Sequence, residues 1–295
     1  MHAHILVLSL ALTSQAYAQQ PSPMSEDRGR SGTDSLLEKR IILERESIDN
    51  PFVITPHKPN YILPASYNSS PNNAAYRDLV DEIDNTEIKF QLSLKFSVWR
   101  NIFGDNGHLA LAYTQQSYWQ AYNSDISAPF RETNHEPEAM LSFFNDVEIL
   151  GFRNSVVTFG LVHQSNGRAS NLSRSWNRIY TSLILEKDNL VLSLKPWYRI
   201  PEDSNNDDNP DIDKYLGHGE LGAVYQMGTH TFGLLLRNNL RSENRGAVQV
   251  DWSFPVSKNK LKGYVQYFNG YGESLIDYDS SVNRIGAGII LTNWL

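Results

Sequence analysis

The stretch from Ile88 to Val98, IKFQLSLKFSV, decides the fold. Ile88, Phe90, Leu92, Leu94, Phe96 and Val98 take every second position, and Lys89, Gln91, Ser93, Lys95 and Ser97 fill the gaps. Successive side chains of a β-strand point to opposite faces, so this segment has one apolar and one polar side. Its 11 residues match the tilted span of about 9 to 11 residues with which a strand crosses a bilayer. Two lysines on the polar side are tolerable where that side lines a wet interior.

The same period recurs on either side. Candidate strands lie near 60–68, 87–99, 108–120, 136–147, 154–165, 176–186, 189–200, 214–226, 230–239, 245–256, 260–271 and 283–295. Twelve is an even number, as a closed single-chain bacterial barrel requires. The fold expected is all-β, a twelve-stranded antiparallel transmembrane β-barrel occupying residues 51–295. The last segment, ending in Trp294 and Leu295, is expected to finish inside a strand. Connections alternate in length: 186–189, 227–229 and 257–259 are short, while 121–135, 166–175, 201–213 and 272–282 are long. Barrels of the bacterial outer membrane keep short turns at the periplasm and long loops outside. Trp119, Tyr118, Trp176, Trp197, Tyr198 and Trp294 fall at strand ends, where amphipathic rings can span the headgroup boundary.

Composition agrees with strands rather than helices. Only 40% of the 295 residues are hydrophobic, and no internal apolar run approaches the roughly 20 residues of a helical span. Cysteine is absent, which removes disulfides and thiolate metal sites. A formal charge of −7 argues against a nucleic-acid partner, which calls for a basic surface. Residues 1–18 read as a secretory signal, with an apolar run from Ile5 to Leu12 and a small-x-small site at Ala16, Tyr17 and Ala18. Residues 19–50 read as a polar periplasmic segment, with Ser35 to Glu46 able to form one short helix.

The chemistry is expected in Ser155 to Tyr180, SVVTFGLVHQSNGRASNLSRSWNRIY. Val157, Phe159, Leu161, His163 and Ser165 share one strand face, so a base and a hydroxyl end an apolar stripe that faces lipid. On the returning strand Asn177 shares a row with Ile179, Thr181, Leu183 and Leu185. Neighbouring strands lie about 4.8 Å apart, so Asn177 can come beside His163 in a hairpin. This gives a nucleophile, a base and an orienting amide. By itself a His two residues before a Ser is more often structural, because triads are recognised by geometry.

The motif around these residues narrows the choice. HQSNGRASNLSRSWNR, from His163 to Arg178, resembles the signature of the outer membrane phospholipase A family of Gram-negative bacteria. SAPFRETNHEP (Ser127 to Pro137), KPWY (Lys195 to Tyr198), DDNPDIDKY (Asp207 to Tyr215) and GYGESLIDY (Gly270 to Tyr278) resemble further segments of that family, over nearly the whole chain from about Asp49. The resemblance implies an A1/A2-type phospholipase that hydrolyses acyl esters of phospholipids and lysophospholipids. It implies a calcium-dependent homodimer when active and a monomer at rest. Ser165 matches the family nucleophile, His163 its base and Asn177 the residue that orients the base.

For calcium the resemblance implies the Ser173 hydroxyl, the Arg168 backbone carbonyl and, from the second subunit, the Ser127 hydroxyl. A further calcium site would use a loop acid near Asp208 together with an Asp where this chain has Ser170. Gln115, on a face with Leu109, Leu111 and Tyr113, resembles the family's interface glutamine; on spacing alone it reads instead as a side chain high enough to reach water. The acids Glu202, Asp203, Asp207, Asp208, Asp211 and Asp213 read first as a solvated external loop.

Two other classes remain. A barrel without enzymatic activity, a pore or an adhesin, is opposed by Lys89, Lys95, Arg178, Lys195, Arg199, Glu220 and Asp251, which could block the lumen with charge pairs. A soluble secreted esterase is opposed by the two-faced alternation in nearly every strand. The expected location is the bacterial outer membrane, with the site toward the outer leaflet.

Overall fold

Strand length, alternation and turn chemistry produce one closed sheet in the computed structural model, which describes residues 53–76, 83–205, 207–256 and 261–292. The barrel strands are β1 (Asn60–Asn68), β2 (Thr86–Trp99), β3 (His108–Trp119), β4 (Phe130–Ile149), β5 (Phe152–Ser165) and β6 (Ser175–Lys187). They continue as β7 (Leu190–Ile200), β8 (Gly219–Met227), β9 (His230–Asn238), β10 (Gly246–Pro255), β11 (Lys262–Gly270) and β12 (Val282–Thr292). Each pairs antiparallel with its sequence neighbours, and β12 pairs with β1, so no barrel edge is left open. The expected twelve-stranded antiparallel barrel is therefore the observed fold. The signal sequence, the segment 19–50, the turn 257–259 and Trp294 lie outside the described residues.

The two faces are inverted relative to a water-soluble protein. Leu92, Phe96, Leu111, Phe159, Leu161, Ile179, Leu221 and Ile285 project outward and exposed. Glu87, Lys89, Arg131, Glu138 and Arg284 point inward and are buried. Apolar side chains can be left on the outside without cost only where lipid replaces water.

The interior is filled. Lys89 Nζ donates to Glu273 Oε1 at 2.8 Å and to Gln266 Oε1 at 2.7 Å. Arg131 bridges Glu87 and Asp277 at 2.9 and 2.8 Å. Before β1, Lys58 pairs with Glu136 and lies 3.1 Å from Glu138, while His57 Nε2 lies 3.0 Å from Glu138 Oε1. A polar cavity of about 100 Å³ remains beside Lys58, Glu136, Arg178 and Glu220, room for only a few waters. Of the charges expected to block the lumen, Lys89 pairs with Glu273 and Arg199 with Asp207, while Arg178 and Lys195 lie 3.8 and 4.0 Å from Glu136 and Glu138.

Long and short connections segregate to opposite ends. The turn between β4 and β5 consists of Leu150 and Gly151, with φ of 53° and 78°, the mirror-image geometry that follows the twist of a hairpin. At the opposite end the 271–281 connection folds inward, burying Leu275, Ile276 and Tyr278. Leu275 and Tyr278 join a cluster with Trp176, Trp197, Ile212 and Leu216.

Three details depart from the sequence reading. β4 begins at Phe130 rather than near 136, because Arg131, Glu132 and Asn134 find partners inside the barrel. A polar run that looks like a loop is thus a strand lining a polar lumen. β8 begins at Gly219 rather than 214, since a short helix α1 (Asp213–Leu216) precedes it. Gly217 closes that helix at φ 69°, where a Cβ would come within 2.5 Å of the Asn238 carbonyl oxygen. Finally, Tyr118, Trp176 and Trp197 are buried inward rather than at the headgroup boundary. Adjacent strand residues face opposite sides, so of the pairs Tyr118/Trp119 and Trp197/Tyr198 only one member can reach lipid.

Candidate active site

β5 and β6 form a hairpin whose register sets His163 opposite Asn177 and Ser165 opposite Ser175. Along β5 the residues Phe159, Leu161 and His163 are exposed while Thr158, Gly160 and Val162 are buried. The stripe carrying His163 and Ser165 therefore faces outward. His163 Nδ1 lies 2.9 Å from Asn177 Oδ1. An oxygen there can only accept, so the hydrogen sits on Nδ1 and Nε2 is left free to take a proton.

Ser165 stands two residues along the same face, about 6.6 Å away along the strand. Among the described residues its Oγ makes no hydrogen bond with the imidazole. Such contacts are often long before substrate is bound. Immediately after Ser165, Asn166 fastens the connection to β6. Its Oδ1 accepts from the backbone N–H of Arg168 and Arg174 at 3.2 and 3.0 Å, and its Nδ2 donates to the Leu172 carbonyl at 2.8 Å. Asn166 has no role in the sequence reading. The general preference of Asn for turns is the signal that could have found it.

The two strands are held from inside by aromatic and charged groups. Trp176 Nε1 donates to Gln164 Oε1 at 2.8 Å, and the Arg178 guanidinium lies 4.0 Å from the centre of the Trp176 ring. Gly160 leaves room for Tyr180, whose hydroxyl donates to Glu138 at 2.9 Å; a Cβ at Gly160 would fall 2.1 Å from that ring.

The residues named for calcium fall around the long-connection end. Ser173 Oγ donates to Asp208 Oδ2 at 2.5 Å. Arg168 turns its guanidinium to the carbonyls of Phe130 and Arg131 at 2.9 and 2.7 Å. Ser127 is exposed with φ 64°, in the connection between β3 and β4. Ser170, in the position where a further calcium site would need an Asp, also has positive φ, 55°. These are hydroxyl, carbonyl and carboxylate oxygens, the donor class that suits calcium.

The acidic loop is less free than its composition suggests. Asp207 receives Arg199 through two hydrogen bonds of 2.6 and 2.7 Å, Asp211 accepts from Tyr278, and Glu202 accepts from Asn177. Gln115 lies on the outward face of β3, where its Nε2 donates to Ser117 Oγ at 3.1 Å and the Tyr113 hydroxyl approaches its Oε1 at 3.5 Å. Its amide thus has a partner within its own strand.

Residues 37–291 match the model of a family described as phospholipase A1. The chain is 38% identical over 288 residues to phospholipase A1 of Klebsiella pneumoniae, covering 97% of this chain and 99% of that protein. It belongs to the phospholipase A1 family. Outer membrane phospholipase A of Escherichia coli superposes on the same closed barrel with a TM-score of 0.78 at 39% identity, covering 83% of this chain and all of that one, so the chain is an outer membrane phospholipase whose barrel spans the bilayer. The structure of a Salmonella typhi outer membrane phospholipase, a dimer with bound calcium, superposes with a TM-score of 0.78 at 41% identity, covering 83% of this chain and 94% of that one. An active-site asparagine-to-alanine mutant of outer membrane phospholipase A from Escherichia coli superposes with a TM-score of 0.79 at 39% identity, covering 85% of this chain and 99% of that one.

Proposed function

We propose that this phospholipase cleaves its lipid ester with Ser165 as nucleophile, His163 as general base and Asn177 as the group that orients the imidazole. The observation that carries the reading is the 2.9 Å contact between His163 Nδ1 and Asn177 Oδ1 on the outward wall, in line with Ser165. An active-site asparagine in the superposable Escherichia coli enzyme supports it.

In this mechanism Ser165 Oγ attacks the ester carbonyl carbon while His163 Nε2 takes the hydroxyl proton. Collapse breaks the bond to the glycerol oxygen, and His163 returns the proton to the departing alcohol. Water then attacks the acyl-serine by the same route and releases the fatty acid. Asn177 holds the hydrogen on Nδ1 throughout. An amide suits a lipid-facing wall better than a carboxylate, which is costly to desolvate.

The oxygens of Ser173, the Arg168 backbone and the partner subunit's Ser127 fit a calcium ion shared by a homodimer, as the calcium-bound Salmonella typhi dimer suggests. A calcium ion held there would supply the positive charge that polarises an ester carbonyl. A further calcium site in the monomer would use Asp208, which accepts from Ser173, but Ser170 in place of an Asp leaves that site one acidic ligand short. Gln115 sits at the outward surface that two subunits would share, with the monomer as the resting form. The site is read as facing the outer leaflet, because it lies at the end of the barrel that carries the long connections, which barrels of this class keep outside.

The test is fatty-acid release from phospholipid in mixed micelles by refolded protein, with and without calcium. Ser165→Ala is expected to abolish release while keeping the heat-modifiable folded band on gels. Retained release would reject Ser165 as nucleophile. A chelator is expected to stop turnover and lower the yield of cross-linked dimer together; a chelator that changed neither would remove calcium from the mechanism.

A further inference from the structure

Asparagine has two different ends. Its oxygen accepts and its nitrogen donates, and a half-turn about the last side-chain bond exchanges them at little steric cost. Turned the wrong way, Asn177 would offer N–H to His163 Nδ1. That nitrogen would then have to be the bare one, with the hydrogen moved to Nε2. An imidazole carrying hydrogen on Nε2 cannot accept the proton of Ser165 from that side. A site built on aspartate escapes this difficulty, since both its oxygens accept. A site built on asparagine needs another group to tell its ends apart.

The chain supplies one. In the register between β6 and β7, Asn177 lies opposite Ile200. Two residues further, past Pro201, Glu202 returns to the same side, and its Oε1 accepts from Asn177 Nδ2 at 3.0 Å. A carboxylate has no hydrogen to give, so only the amide nitrogen can face it. The Asn177 oxygen is thereby left for His163 Nδ1 at 2.9 Å. We propose that Glu202 is a positioning residue that fixes the orientation of the Asn177 amide and, through it, the tautomer of His163. This rests on the assignment of Asn177 as the orienting residue. It gives one acid of the 201–218 connection a defined task and requires no contact between Glu202 and substrate.

The test compares side chains that differ in what they can offer Asn177. Glu202→Gln keeps an acceptor but adds a donor, Glu202→Ala offers neither, and Glu202→Lys offers only donors. Each is made alone and in an Asn177→Ala background, with the folded band checked on gels. Turnover of phospholipid in mixed micelles is then measured at saturating calcium. The expected order of kcat is wild type, then Gln, then Ala, then Lys, with Ala down about 3-fold and Lys about 10-fold or more, and with KM within about 2-fold. In the Asn177→Ala background the three variants should agree with that parent within about 2-fold. Nitrogen NMR of labelled histidine in micelles, with the His163 signals assigned by their loss in His163→Gln, should report hydrogen on Nδ1 in wild type and a shift toward Nε2 in Glu202→Lys.

A tie that merely holds the connection in place would make Ala and Lys equal, and equal values with Asn177→Ala impaired would overturn the proposal alone. Persistence of the Glu202 effects in the Asn177→Ala background would also overturn it. Full activity of Asn177→Ala would overturn the asparagine assignment and this proposal together.

Discussion

Replacing Arg284 by methionine tests whether the polar interior is as dry and paired as its geometry indicates. The Arg284 side chain is 2% exposed. Its Nε donates to Glu273 Oε2 at 2.8 Å and its Nη1 to Ser66 Oγ at 3.1 Å. Its Nη2 lies 2.8 Å from Glu87 Oε1 but out of line for a hydrogen bond, so that contact is Coulombic only. Methionine of similar length removes all three. The bond to Glu273 is charge-assisted, worth about 1.5 to 3 kcal/mol, and the bond to Ser66 adds about 1 kcal/mol.

The remaining carboxylates are not orphaned. Glu87 keeps two hydrogen bonds from Arg131 at 2.9 Å, and Glu273 keeps Lys89 at 2.8 Å. The full penalty of about 3 to 5 kcal/mol for stranding a buried charge therefore does not apply. Methionine against the Tyr118 ring, above which the guanidinium sat at 5.3 Å, returns up to about 1 kcal/mol. The net expectation is a loss of about 3 kcal/mol, read from urea unfolding in detergent micelles by tryptophan fluorescence at unchanged slope. Adding Glu273→Gln to Arg284→Met should deepen the loss, because the buried Lys89 then gives up its carboxylate partner. A loss below about 1 kcal/mol would mean that water screens the interior, and the paired-lumen account would fall. Steady ion conductance of either protein in planar bilayers would contradict a closed interior in the same way.

Other outcomes follow from the same contacts. Asn177→Ala should lower kcat about 10-fold and leave KM near wild type in the micelle assay, because His163 and Ser165 survive and only orientation is lost. Gly160→Val should displace the Tyr180 ring and cost about 1 to 3 kcal/mol, seen as a lower temperature for loss of the folded band; Tyr180→Leu in the same chain should restore part of it. Burial pushes the Glu273 carboxyl up, but the Arg284 and Lys89 cations outweigh burial and hold it below the usual glutamate range. A depressed folded value contributes stability above the unfolded value of about 4.3 that is lost as pH falls through the folded one. The urea midpoint should therefore drop on acidification below about pH 4, and by less in Arg284→Met, where the depression is weakened.

Alternation in the sequence determined the strand period, the barrel and the outward direction of His163, Ser165 and Asn177. It could do so because side-chain facing is a local property of an extended chain. The motif around Ser165 carried the family. Long-range partners were not legible in the same way. Arg131 and Glu132 looked like loop residues until the lumen supplied Glu87, Asp277 and the backbone of Ile276. Tyr118, Trp176 and Trp197 looked like interfacial rings until closure turned them inward. Glu202 looked like one acid among several, since its bond to Asn177 depends on which residue of β7 stands opposite β6. Register and closure are decided by the whole sheet, and a one-dimensional pattern specifies only which face a residue takes, not which neighbour it meets there.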